Sequence, residues 1–289
     1  MDVQAAGRYI YEEIEAIKTE LESKTIYRPK VGIVLADGFE SLTSIIRNQE
    51  TVSYADIPTF PISKSHESHL IFGDIGGKTI VCSKGNVTQM EGFPAWQVAI
   101  PVRVMSFMGA ETLIIINKVQ KLNDKYKAGD IVLIKDHINL PGLAGDSPLV
   151  GINDPRLGPR FFGISGVYDN CLRRLCRHIG SELDIDSIKE GIYVQASGPS
   201  FESNSEFTFL KMVGADMLGM NMLPEIVIAK ACGMRVCAIA LVTDGQESGH
   251  PGNLILDHDV DLDSVALRSE GGFRSLLSRL VSRIDEEIP

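Results

Sequence analysis

No stretch of the 289-residue chain holds about 18 uninterrupted apolar residues, so no helical membrane span is expected. The opening MDVQAAGRYIYEEIEAIK is acidic and amphipathic and lacks the charged-then-apolar layout of a secretory signal. Cys82, Cys171, Cys176, Cys232 and Cys237 are odd in number and contain no C-x-x-C pair, which excludes a fully paired disulfide framework. They read as reduced, mostly buried thiols of a cytoplasmic protein. Positive charge is also short: 28 Lys and Arg against 38 Asp and Glu leave a formal charge of −10. That argues against a broad nucleic-acid surface and leaves room only for a local basic pocket. His66, Glu67 and His69 are too local to form a good ligand set, so neither metal nor cofactor is expected. Repeats, low-complexity tracts and linkers are missing too, and residues 1–289 read as one domain.

What the chain does hold is enough apolar material, 44% of its residues, to bury a substantial core. Ile10, Ile14, Ile17 and Leu21 recur at helical spacing and predict an N-terminal helix over about residues 5–22. Val31 to Leu35 is a continuous apolar run, hence a buried parallel strand, followed by a turn at Ala36-Asp37-Gly38 and a helix through Ser44-Ile45-Ile46. His69 to Gly73 and Lys78 to Cys82 alternate around the turn residues Gly76-Gly77 and predict a hairpin. Further along, Pro94 to Met108 reads as a helix, Thr112 to Ile116 and Ile131 to Lys135 as strands, and Val167 to Ile179 as a helix with Arg173, Arg174 and Arg177 on a solvated face. Ile226 to Cys232 reads as a helix, Val236 to Val242 as a strand, and residues 263–288 as a closing helix. Strands alternating with helices predict an α/β domain with a central, twisted, mixed sheet flanked by helices.

The densest information lies between Gln195 and Glu225. A short buried strand, Gly191 to Ala196, is broken by Gly198-Pro199, and Ser203 with Glu206 forms an S-x-x-E capping box that opens a helix. Phe201 and Glu202 therefore sit where a strand's carboxyl end meets a helix start, the usual crevice for ligands in open α/β sheets. An aromatic ring beside a carboxylate suits a heteroaromatic base, stacked on the ring and hydrogen-bonded to the carboxylate. The plainer alternative makes Phe201 core and leaves Glu202 to favour the positive helix end.

Gly198-Pro-Ser-Phe-Glu202, Gly214-Ala-Asp-Met-Leu-Gly-Met220 and Pro224-Glu225 together resemble the trimeric purine nucleoside phosphorylase family. Phe60-Pro61 with His66, Glu91 to Pro94, Gly129 to Gly142, and Asn153-Asp154 through Arg160-Phe161 agree with it in the right order. The resemblance implies the nucleoside phosphorylase fold, a homotrimer, and a phenylalanine at Phe161 that reaches into a neighbouring subunit's pocket; a loop phenylalanine packed on its own subunit is the alternative. It also implies purine contacts from Phe201, Glu202 and Met220. Asp244 stands where an asparagine is expected, and there it could accept from a 6-amino group or, protonated, donate to N7 as a general acid. His258 stands where a histidine near the 5′-hydroxyl is expected, a solvated histidine being the alternative. Glu202, Asp244 and His258 are thus the candidate catalytic residues, and Phe201, Glu202, Met220, Asp244, Asn117 and Phe161 the candidate purine- or nucleoside-binding residues.

The anion end departs from the same pattern. Where the resemblance implies a glycine-rich turn with a serine, the chain has Ala36-Asp37-Gly38-Phe39-Glu40, whose carboxylates repel a phosphate. Asn86 stands in place of an arginine, removing a bidentate cation; Thr88 replaces a histidine, Met90 a tyrosine and Asn221 a serine. His66 alone is retained, though a loop histidine would look the same. Lys118-Val119 replaces small residues and is expected to push bulk into the nucleoside floor, with Lys118 either pairing with Asp37 or recruiting another anion. The sequence expectation is therefore a fold relative that binds a purine base or nucleoside, takes phosphate poorly and is catalytically silent or very weak. The alternatives are an active phosphorylase with a remodelled anion site using His66 and Lys118, and a nucleoside hydrolase in which water replaces phosphate.

Overall fold

Every residue of the strand Val31–Leu35 is buried, which requires a sheet covered on both faces. The computed structural model describes residues 3–151, 153–185, 188–244 and 262–286. In chain order the elements are α1 (Val3–Lys24), β1 (Val31–Leu35), β2 (Arg47–Ser53), β3 (His69–Ile75), β4 (Lys78–Lys84), α2 (Ala95–Val98), α3 (Ile100–Phe107), β5 (Thr112–Lys121), β6 (Ile131–Asn139), α4 (Leu140–Leu143), α5 (Asn170–Glu182), β7 (Lys189–Gln195), α6 (Asn204–Met212), β8 (Met217–Gly219), α7 (Leu223–Ala231), β9 (Arg235–Asp244) and α8 (Leu262–Ser282). The strands form one mixed nine-stranded sheet in the order β2-β3-β4-β1-β5-β8-β7-β6-β9. Because β5 also pairs in parallel with β9, the strands from β5 round to β9 close into a ring. One apolar cluster packs α1, α3 and α7 on one face, and a second packs α5 and α8 on the other.

Register places the site. The carboxyl end of β1 lies beside the middle of β5, Leu35 opposite Ile116, with the Ala36 N–H donating to Ile116 O at 3.0 Å. Asp37 therefore leaves the sheet next to Asn117, which stays within β5, paired with Ala240 of β9. The ends of β7 and β8 meet likewise: Gln195 pairs with Gly219, and the Ala196 N–H donates to Gly219 O at 3.0 Å. The loop bearing Phe201 and Glu202 then starts beside Met220 and Asn221. The Gly76-Gly77 turn between β3 and β4 has φ of 57° and 82°, which only glycine adopts cheaply, and it forms the expected hairpin.

Four expectations are corrected. Ser44 and Ile45 close a short 3₁₀ turn, Glu40–Ile45, and the chain then enters β2 rather than a helix. β2 reads RNQETVS, and only Val52 in it is buried, because it is an edge strand paired on one side. The helix expected from Pro94 to Met108 is two pieces, α2 and α3, that meet at Ala99 just before Pro101. Arg173 and Arg177 do not lie on a merely solvated face: both reach Glu190 on β7, at 2.8 and 2.9 Å. The closing helix ends at Ser282, short of residue 288.

Candidate active site

The loops after β1, β4 and β8, with the middle of β5, surround a cavity of about 30 Å³, the room of a single water. Its polar lining is Asp37, Asn86, Thr88, Asn117, Asn221 and Glu225, over a floor that includes Leu35, Ile116 and Met222. Five of the predicted residues are therefore brought together in one place, and Glu225 joins them unpredicted. No lysine or arginine lines the cavity among the described residues.

The amides there are already committed. Asn86 donates to Leu35 O at 2.9 Å and accepts from the Ser83 hydroxyl, which is also bonded to Tyr54 at 2.5 Å. Asn117 donates to the Asn221 side-chain oxygen at 3.1 Å and accepts from the Lys118 backbone N–H at 2.9 Å. Glu225, on the first turn of α7, is 5% exposed, and its Oε2 has no hydrogen-bond partner among the described residues. Burial pushes its carboxyl up to about 7, so it is a half-neutral acid at physiological pH.

The expected Asp37–Lys118 ion pair does not form: no such contact within 4.0 Å exists among the described residues. Asp37 is exposed, and Lys118 does not line the cavity. Nor does Val119 fill the nucleoside floor; it is 2% exposed and belongs to the main core. Strand alternation explains this, since β5 continues to Lys121 and keeps Val119 in the sheet's packed face.

His66 sits to one side. Its Nδ1 lies 3.2 and 3.1 Å from the hydroxyls of Ser63 and Ser65, and both serines donate to Glu91 Oε1, at 2.5 and 2.9 Å. The other Glu91 oxygen accepts from the Thr88 backbone N–H at 2.9 Å. Burial alone would raise the Glu91 pKa, but the serine and backbone hydrogen bonds and the nearby His66 hold it below the ordinary value. His66 Nε2 is buried without a partner among the described residues. His66 is therefore a held side chain, not a free loop histidine.

At the other end, Phe201 is 38% exposed and so is not core. Glu202 is half-buried and its pKa is raised, first by desolvation and then by the neighbouring Glu206. Met220 packs beneath this loop: a Cβ on Gly198 would come within 2.4 Å of its Sδ and 3.2 Å of the Met90 Sδ. The capping box forms as expected, the Ser203 N–H donating to Glu206 at 2.7 Å and the Glu206 N–H to Ser203 Oγ at 3.3 Å. Phe161 lies elsewhere, 88% exposed on a groove of about 710 Å³ that includes His137, Leu143, Val150 and Arg160. It does not line the cavity. The Asp244 side chain and all of His258 lie outside the described residues.

The model of the phosphorylase superfamily matches residues 30–272. The chain belongs to the purine nucleoside phosphorylase family within it. A purine nucleoside phosphorylase of Anopheles gambiae is 38% identical over 282 residues, 96% of this chain and 80% of its own length. That of Mus musculus is 36% identical over 286 residues, 98% and 97% of the two chains. The Schistosoma mansoni enzyme crystallised with adenosine superposes with a TM-score of 0.90 at 33% identity, covering 96% and 98% of the chains. Its isoform 2, in complex with cytosine and ribose-1-phosphate, gives 0.91 at 32% identity, over 96% and 98%. This family fold carries an α/β single domain with a mixed sheet, as expected from the sequence.

Residues missed at the sequence level are Glu225, Ser63, Ser65 and Glu91. Two had signals. Glu91 follows Thr88 at capping-box spacing, and Glu225 is the one acid in LPEIVIAKA of α7, whose only other charged residue is Lys230.

Proposed function

We propose that this chain is a purine nucleoside phosphorylase-like protein that binds a purine base or nucleoside at Phe201, Glu202 and Met220, and whose orthophosphate-driven cleavage is very weak. The observation that carries the reading is the lining of the strand-edge cavity. It presents the Asp37 carboxylate and already-bonded amides, has no lysine or arginine among the described residues, and offers the room of one water. A phosphate dianion stripped of water needs several donors and a cation, and this lining supplies amide donors but no lysine or arginine among the described residues. Purine held between an aromatic ring and a carboxylate remains supported, because Phe201 is accessible and Glu202 sits half-buried with its acceptors near the opening.

A second reading, an active phosphorylase with a remodelled anion site, is favoured by a different set of observations. Relatives named for that activity share 36–38% identity over nearly the whole chain, and on family grounds alone they weigh more for activity than for its loss. His66 Nε2, buried and unpartnered, is the donor such a site would use. Lys118 is not part of this version, since it lies off the cavity. Hydrolysis has no observation of its own in its favour.

Calorimetric titration with inosine, adenosine, guanine, adenine and phosphate separately, followed by a phosphate-dependent turnover assay, separates the two. Purine binding with no saturable phosphate binding is expected. Phosphate-dependent release of base at a rate typical of enzymes, about 1–10³ s⁻¹, establishes the second reading. The same proposal includes a homotrimer formed through the groove around Phe161, Leu143 and Val150, whose side chains are 88%, 79% and 68% exposed. Light scattering at micromolar concentration tests it, a monomer being the contrary result. Cytoplasmic residence is part of the reading and is supported by five free thiols.

A further inference from the structure

The cavity's hydrogen-bond inventory is one-sided. Asn86 and Asn117 each spend an amide hydrogen inside the protein, on Leu35 O and on Asn221. The Thr88 hydroxyl is turned to Glu91 Oε2 at 3.3 Å. Besides the second amide hydrogens of Asn86 and Asn117 and those of Asn221, what remains for a guest is acceptor: the Asp37 carboxylate, amide oxygens with a spare lone pair, and the orphaned Oε2 of Glu225. A carboxylate oxygen 95% enclosed, lining a cavity and given no donor, is costly unless something donates to it or carries positive charge.

We propose that this cavity is a site for a small monovalent cation, such as potassium, sodium or ammonium, held between Asp37 and Glu225 with amide oxygens from Asn86, Asn117 and Asn221. Size agrees with this choice, because about 30 Å³ admits one water-sized guest. Charge agrees as well: Asp37 supplies a carboxylate at one end, a bound cation favours the ionised form of Glu225 at the other, and no lysine or arginine stands in the lining among the described residues. A strongly held divalent ion fits less well: among the described residues no group of three or more His, Cys, Asp and Glu could hold a metal. Hard monovalent ions accept neutral amide oxygens, and ammonium adds the donated hydrogen bonds that Oε2 lacks. The anion end of the fold has, on this assignment, reversed the sign of its guest.

The test follows thermal unfolding of the full chain in choline chloride while KCl, NaCl or NH4Cl replaces choline at constant ionic strength. A saturable rise in the midpoint with at least one of the three is expected. Asp37→Asn weakens the half-saturating concentration about tenfold, the loss of one nearby charge, and Glu225→Gln abolishes the response. Glu67→Gln, at a carboxylate 91% exposed and away from the lining, responds like the wild type. Absence of any saturable rise over choline overturns the assignment. So does a wild-type response in both Asp37→Asn and Glu225→Gln, of which the first alters only an exposed loop. A saturable rise driven by phosphate at constant sodium would reassign the cavity to an anion. The purine end takes no part in this readout, so failure to bind purines leaves it intact and the converse also holds.

Discussion

The loops after β7 and β1, strands that run in opposite directions, handle charge in opposite ways. The loop after β7 carries Phe201 and Glu202, a ring and a half-buried carboxylate over Met220, and is capped into α6 by Ser203 and Glu206. The loop after β1 carries Asp37 and Glu40, the latter folded back onto the Gly38 N–H at 2.9 Å. The first keeps acceptors where a purine has donors. The second turns acceptors toward a place where an oxyanion would need donors. What differs is not the scaffold, since backbone register at both ends follows from the strand pairing alone, but which groups the lining leaves unspent.

The largest effect comes from forcing the two ends to agree. The combined change Asp37→Ser, Asn86→Arg and Thr88→His removes one negative charge and adds a planar cation and a second donor. Phosphate-dependent release of hypoxanthine from inosine is expected to rise at least about 10³-fold, the order that preorganised charge contributes to such sites. A gain below tenfold would place the block outside this lining, with β5 and its Lys118 as the next suspect.

Next comes Glu225. Its carboxyl, raised by burial from 4.5 to about 7, stays protonated in the folded chain over a range where the unfolded chain has lost the proton. The folded state binds more protons there, so stability falls as pH rises from about 4.5 to about 7 and is flat beyond. In choline chloride the full loss is about 3 kcal/mol at most. Glu225→Gln cannot ionise, and its advantage over wild type should grow across that window; urea unfolding at the two ends of it measures this. A constant difference between the two proteins would show that Glu225 is not the titrating group.

Glu202→Gln tests the purine end with a smaller effect. Losing a charged acceptor is expected to weaken guanine or hypoxanthine binding about 30-fold, about 2 kcal/mol. Because desolvation raises the Glu202 pKa, wild-type affinity should fall as pH drops through that raised value, while the variant stays flat. Equal affinities for the two proteins in calorimetry would remove Glu202 from the purine site.

How far the sequence carried this comparison depends on which signal each residue left. β1 and the β3–β4 hairpin were legible because one is wholly apolar and the other alternates around Gly76-Gly77. β2 was not, because an edge strand of RNQETVS buries almost nothing. Asp37, Asn86, Thr88 and Asn221 were assigned to the anion subsite from spaced motifs and Asn117 to the nucleoside set, and the fold gathers all five around one cavity. The supposed Asp37–Lys118 pair failed since a strand's alternation, not charge, decides where residues of β5 point. Glu225 escaped notice because nothing in LPEIVIAKA says that its acid faces a cavity rather than solvent; only the packing of α7 against the sheet does.

The smallest expected change is Ser203→Ala, and it asks whether the purine end is rigid by itself. Ser203 Oγ accepts the Glu206 N–H, and the Glu206 carboxylate accepts the Ser203 N–H, so the first turn of α6 and the end of the Phe201 loop are tied at one residue. Removing the hydroxyl unties half of that box and should cost about 1 kcal/mol in urea unfolding, the usual worth of such a cap. Glu202 is the residue immediately before the cap, so looseness there spreads to the carboxylate proposed to accept from the base. Purine affinity should then fall by less than tenfold, a positioning loss smaller than that from Glu202→Gln. Loss of stability with unchanged affinity would mean that Gly198 seated on Met220, and not the cap, holds the loop in place.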